Sequence, residues 1–122
     1  MRPTGFAIAA SSFIICGAPC MAETDPNSVQ FLYAACQAKH GSSAASFCLG
    51  YIEGASQVMV FNGSKGRDLG ICPPQQTGLP SGAAMIQSFL NWASLHPEQW
   101  AEPTLVGVAL SLNATWPCAK SN

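Results

Sequence analysis

Apolar side chains recur with a helical period in four separate stretches of the chain. In the first, Val29, Leu32, Tyr33 and Cys36 form an i, i+3, i+4, i+7 stripe. Ser28 or Asn27 can cap it, and it runs out near His40-Gly41. In the second, Cys48, Tyr51, Ile52, Ala55, Val58 and Met59 share one face, with a start at Ser46 and a stop at Asn62-Gly63. A glycine-rich loop from Gly63 to Gly70 follows, and then Ile71-Cys72-Pro73-Pro74, whose prolines exclude a helix interior. The third helix is predicted after Ser81, a good N-cap residue, through Met85, Phe89 and Trp92 to Leu95, where His96-Pro97 stops it. The fourth starts near Pro103, uses Leu105, Val108, Ala109 and Leu112, and breaks at Trp116-Pro117. No strand-like alternation and no internal repeat interrupts this order. The reading is all-α, a small bundle of about four helices.

Ahead of these stretches lies a segment of a different kind. Residues 1–22 carry one charge, Arg2, then an apolar run from Phe6 to Cys16, then the small-residue stretch Gly17-Ala18-Pro19-Cys20-Met21-Ala22. That order is the one a cleavable signal peptide uses, with cleavage expected after Ala22. The apolar run is about eleven residues, short of the roughly 20 that a membrane-spanning helix needs. The expectation is a single exported domain over residues 23–122, without membrane insertion of the mature chain.

Composition narrows the partners. Charged residues are 9% of the 122-residue chain and the formal net charge is −1, against roughly 25% charged residues in an average soluble domain. Nucleic acid rewards clustered Lys and Arg, so it is excluded as a partner. Removing the leader leaves four bases (Lys39, Lys65, Arg67, Lys120) against six acids, a net charge of −2. The low charge content therefore belongs to the mature domain itself.

Cleavage also removes Cys16 and Cys20 and leaves Cys36, Cys48, Cys72 and Cys118. Four cysteines in a small exported chain read as two disulfides with three possible connectivities. Their spacing fits no common zinc site, because neither C-x-x-C nor a nearby histidine pair is present. Short connections make neighbouring helices antiparallel, which would bring Cys36 and Cys48 to one pole and Cys72 and Cys118 to the other. Pairings 36–48 and 72–118 are favoured, and Cys36–Cys118 is the main competitor.

The side chains offer little for catalysis. The two histidines are His40, in a loop, and His96, in a His-Pro-Glu sequence that reads as a helix stop. Glu53 has no second carboxylate three or four residues on, so no paired acid and base is present. Neither G-x-S-x-G nor a phosphate-binding glycine loop occurs. No catalytic residue, metal ligand or cofactor is assigned. Gly50 and Gly54, four apart, would suit a close helix crossing, and Trp92, Trp100 and Trp116 read as core or rim aromatics. Half the basic charge of the mature chain, Lys65 and Arg67, lies with Asp68 in the long loop between the second and third helices. Long loops in small domains are often functional, and these three residues are the candidate partner contacts.

Taken in order, Phe47-Cys48-Leu49-Gly50-Tyr51-Ile52-x-Gly54, Ile71-Cys72-Pro73, His96-Pro97-Glu98 and Ala114-x-Trp116-Pro117-Cys118 resemble the Rap/Tai family. These are periplasmic immunity proteins against type VI secretion amidases. The resemblance spans about residues 28 to 118 and departs from the family pattern at Pro80-Ser81-Gly82 and in the glycine-rich 63–70 stretch. It implies a small, all-helical, disulfide-bonded protein, often dimeric, that blocks the cleft of a Cys/His peptidoglycan amidase. The matching residues are scaffold, so no partner contact carries over from them. The alternative is a periplasmic stress chaperone or envelope interaction protein on a similar scaffold.

Overall fold

The computed structural model describes residues 23–74 and 78–120; the expected leader lies outside them. Four helices follow in order: α1 (Val29–Cys36), α2 (Ser43–Ser64), α3 (Gly82–Leu95) and α4 (Thr104–Thr115), with a 3-10 turn at Pro97–Gln99 between the last two. Among the described residues there is no strand beyond one isolated bridge, Ser28 with Pro103. No helix there is long and apolar enough to cross a membrane.

Serine hydroxyls start three of the helices. Ser28, Ser42 and Ser81 each have extended backbone and accept a hydrogen bond from the amide three residues on, at Phe31, Ala45 and Ala84. Each bond satisfies one of the amides that a helix N-terminus leaves without an intrahelical partner. Ser46, expected as the start of the second helix, instead lies inside α2 and donates its hydroxyl to the Ser42 carbonyl at 3.1 Å.

α4 solves the same problem through the backbone. Pro103, read from sequence as part of the first turn, sits just before the helix with extended backbone (ψ 139°). The Thr104 amide donates to the Asn27 carbonyl at 2.7 Å, while Val29 and Gln30 donate to Glu102 and Trp100 at 2.9 and 3.0 Å. The Thr104 hydroxyl adds a buried bond to the Ser28 carbonyl. The two helix starts thus cap each other across 76 residues of sequence.

The core holds Val29, Leu32, Ala35, Cys48, Ile52, Met59, Ile71, Met85, Phe89, Ala93, Val108, Ala109 and Leu112. Phe89 is fully buried and is among its largest members. α3 and α4 run antiparallel: the Ser88 hydroxyl donates to the Ser111 carbonyl and bonds the Thr115 hydroxyl. Further along, Gly107 lets Val29 and the Trp92 ring approach α4 so closely that a Cβ there would meet Val29 Cγ2 at 2.5 Å. Disulfides join Cys36 to Cys48 and Cys72 to Cys118, with Cα atoms 5.0 and 4.8 Å apart.

Two apolar positions expected inside lie outside. Val58 is 60% exposed and Leu105 48%. On α2 the buried stripe is Cys48, Ile52, Ser56 and Met59, and Ser56 is tolerated there because its hydroxyl donates to the Glu53 carbonyl at 2.8 Å. Gly50 and Gly54 face open space, and a Cβ on either would meet nothing within 4 Å. The close crossing expected of them occurs at Gly107 instead.

Candidate partner-binding surface

The charged loop begins with the way α2 ends. The expected stop at Asn62-Gly63 is overrun, and the helix continues to Ser64. Gly66 has φ +63°, its amide bonds the Gly63 carbonyl at 3.1 Å, and the Arg67 amide bonds the Asn62 carbonyl at 2.9 Å. This pair of bonds is a Schellman ending, and it needs a residue that accepts positive φ. Gly63 stays helical because its missing Cβ admits the Ile71 carbonyl, with which a Cβ would collide.

Lys65, Arg67 and Asp68 are all exposed. Lys65 caps the helix rather than lying in the loop. Its ammonium and the Arg67 guanidinium lie 6.0 and 5.6 Å from the centroid of the Phe61 ring. That ring is 53% exposed, and cations at this range are drawn to its face. Together they form a cationic patch with an aromatic base at the end of α2.

Sequence reasoning missed Leu69, which adjoins this patch. It has φ +59°, the only positive φ at a non-glycine residue among the described residues, and its side chain is 59% exposed. A bulky residue in that region is strained and persists only where its surroundings hold it. The holding groups lie just beyond it. Gly70 is buried, Asn113 Nδ2 donates to its carbonyl at 3.0 Å, and the Ile71 and Cys72 amides donate to the Met59 and Trp116 carbonyls. Leu69 walls a groove of about 400 Å³ along α4, lined also by Pro103, Leu105, Val106, Ala109, Leu110 and Asn113. α4 has no charged residue, so this groove is almost wholly apolar.

The His-Pro-Glu sequence and the tryptophans serve helix ends and packing. His96 ends α3, its Nδ1 lies 2.8 Å from the Trp92 carbonyl, and its ring stacks on the Trp92 ring at 4.8 Å. Pro97 and Glu98 form the 3-10 turn. Trp100 packs against Tyr33 and donates its indole N–H to the Ala93 carbonyl at 2.8 Å. All three tryptophans are half-buried against the core. Tyr51 packs beside Phe47, and burial raises its phenol above the usual tyrosine value. No group of His, Cys, Asp and Glu able to hold a metal occurs among the described residues.

An aromatic and cationic patch beside an apolar groove is suited to contact with another protein, and no side chain there offers a nucleophile with its base. In comparison with known proteins, residues 28–118 match the model of one family, described as Rap1a immunity proteins. No curated protein and no solved structure matches the chain.

Proposed function

Because the chain belongs to the Rap1a immunity protein family, whose members bind a protein toxin, we propose that its own toxin is a peptidoglycan amidase delivered by type VI secretion. In this reading residues 1–22 are a cleavable signal peptide, and residues 23–122 act in the periplasm. The chain blocks the Cys/His cleft of the amidase and carries out no chemistry itself. Two disulfides suit an oxidising compartment.

The observation that carries this reading is the family match across all four helices, from the cap of α1 to Cys118. The side chains agree with it. The exposed Lys65, Arg67 and Asp68 stand where a partner could reach them, and the scaffold motifs are spent on caps, turns and disulfides. A homodimer belongs to the same reading, and sedimentation velocity of the mature chain tests it.

Reversing Lys65 and Arg67 together to Glu should weaken amidase binding while leaving the fold intact, because both side chains are exposed. Unchanged affinity in that variant would remove the loop from the interface. A neighbouring gene for a small Cys/His amidase would support the choice of toxin.

A further inference from the structure

The two disulfides differ in where they lie. Cys48 is 1% exposed and belongs to the core, with Cys36 half-buried at the end of α1. Cys72 is exposed and Cys118 half-buried. Thiol–disulfide exchange needs a thiolate to reach a sulfur from outside, so exposed bonds are the ones that react.

They also differ in what they hold. Cys36–Cys48 ties one helix to the next. Cys72–Cys118 ties the loop that follows Lys65 and carries Arg67, Asp68 and Leu69 to the segment after α4. Beyond the turn that Gly66 and Arg67 make on the Gly63 and Asn62 carbonyls, the loop is tied near the same few residues: Ile71 to the Met59 carbonyl, Cys72 to the Trp116 carbonyl, and the Gly70 carbonyl to Asn113. Cys118 Sγ itself lies 3.1 Å from where a Cβ on Gly63 would be, so the bond sits beside the glycine that the loop crosses. Opposing all of them is the left-handed backbone of Leu69, which relaxes once the loop is free.

We propose that Cys72–Cys118 is a thiol–disulfide exchange site that locks the 66–72 loop, and that a dithiol reductant unlocks it while the four-helix core stays folded. A thiolate of the reductant attacks the sulfur of Cys72, the exposed residue of the pair. The Cys72–Cys118 bond breaks, its electron pair leaves on Cys118 as thiolate, and a mixed disulfide forms at Cys72. The second thiol of the reductant, as thiolate, attacks its own sulfur in that mixed disulfide and releases Cys72 as thiolate. The reductant is oxidised by two electrons to its disulfide, and the protein gains two thiols. Unlocking removes Leu69 from the wall of the α4 groove and frees the charged residues beside it. The inference does not depend on the identity of the toxin.

Dithiothreitol serves as the probe on the mature chain under native conditions, with thiols trapped by iodoacetamide and mapped by mass spectrometry. At limiting reductant, labelling of Cys72 and Cys118 should exceed that of Cys36 and Cys48 on the order of tenfold. Equal labelling, or earlier labelling of Cys36 and Cys48, overturns the proposal. Hydrogen exchange on the selectively reduced protein reads the lock itself. The Ile71 and Cys72 amides should exchange on the order of tenfold faster, while the amides of α1 and α3 keep their protection. Unchanged protection at Ile71 and Cys72, or loss of protection throughout, contradicts it. The C72S/C118S variant should give the same exchange pattern as the reduced chain.

Discussion

The backbones of Gly63 and Gly70 touch: a Cβ on Gly70 would lie 2.5 Å from both the Cα and the N of Gly63. This contact seats the loop on the last turn of α2 and fixes where Leu69 and the charged residues before it are displayed. Because the neighbour is backbone on both sides, neither can move aside cheaply. Gly70→Ala and Gly63→Ala should each destabilise the fold by about 1–3 kcal/mol, read as a lower urea midpoint.

Gly50 and Gly54 should behave in the opposite way. Both lie inside α2 and meet nothing within 4 Å. Replacing either by Ala removes the conformational freedom of glycine in the unfolded chain and adds no clash. Each substitution should stabilise the protein by about 0.5–1 kcal/mol. A thermal melt distinguishes this pair from Gly63 and Gly70 by the sign of the shift.

At the centre, Phe89 is fully buried. Phe89→Ala should destabilise the fold by about 3–5 kcal/mol, the transfer of the ring plus the cavity left behind. For a domain of this size that is a large share of the net stability, so the denaturation midpoint should fall sharply.

The Cys36–Cys48 bond closes a loop with a sequence separation of 12. In the chain-entropy model such a loop contributes about 3 kcal/mol. The double variant C36A/C48A, which leaves no buried hydroxyl behind, should lose about that much in a urea titration.

Burial raises the Tyr51 phenol above its usual value, so the folded state favours the neutral ring. That stability is fully present below the unfolded tyrosine pKa of about 10 and is lost as pH rises through the folded value. Urea midpoints measured between about pH 9 and about pH 11 should fall more steeply for the native chain than for Tyr51→Phe.

Where the sequence carried local signals, the elements were legible. Ser28 and Ser81 are caps with fixed geometry, and His96-Pro97 and Trp116-Pro117 end helices for reasons that need no tertiary structure. The end of α2 was not legible because Gly63 serves a neighbour: it admits the Ile71 carbonyl, while Gly66 makes the turn. Val58 and Leu105 fit the apolar period yet lie exposed, since period alone does not say which of two apolar faces is covered. Within the candidate surface, Lys65, Arg67 and Asp68 stood out as charges in a weakly charged chain. Leu69 did not, because its strain comes from contacts at Gly70, Asn113 and Cys118 that are far apart in sequence or invisible in it.

Under the proposed function, the chain binds and silences a peptidoglycan amidase. The most direct measurement is hydrolysis of purified peptidoglycan by a Cys/His amidase delivered by type VI secretion in the same cell, with the mature chain titrated in. Stoichiometric loss of activity and co-elution of the two proteins as one complex are expected. Full activity and separate elution with both proteins at micromolar concentration would contradict it.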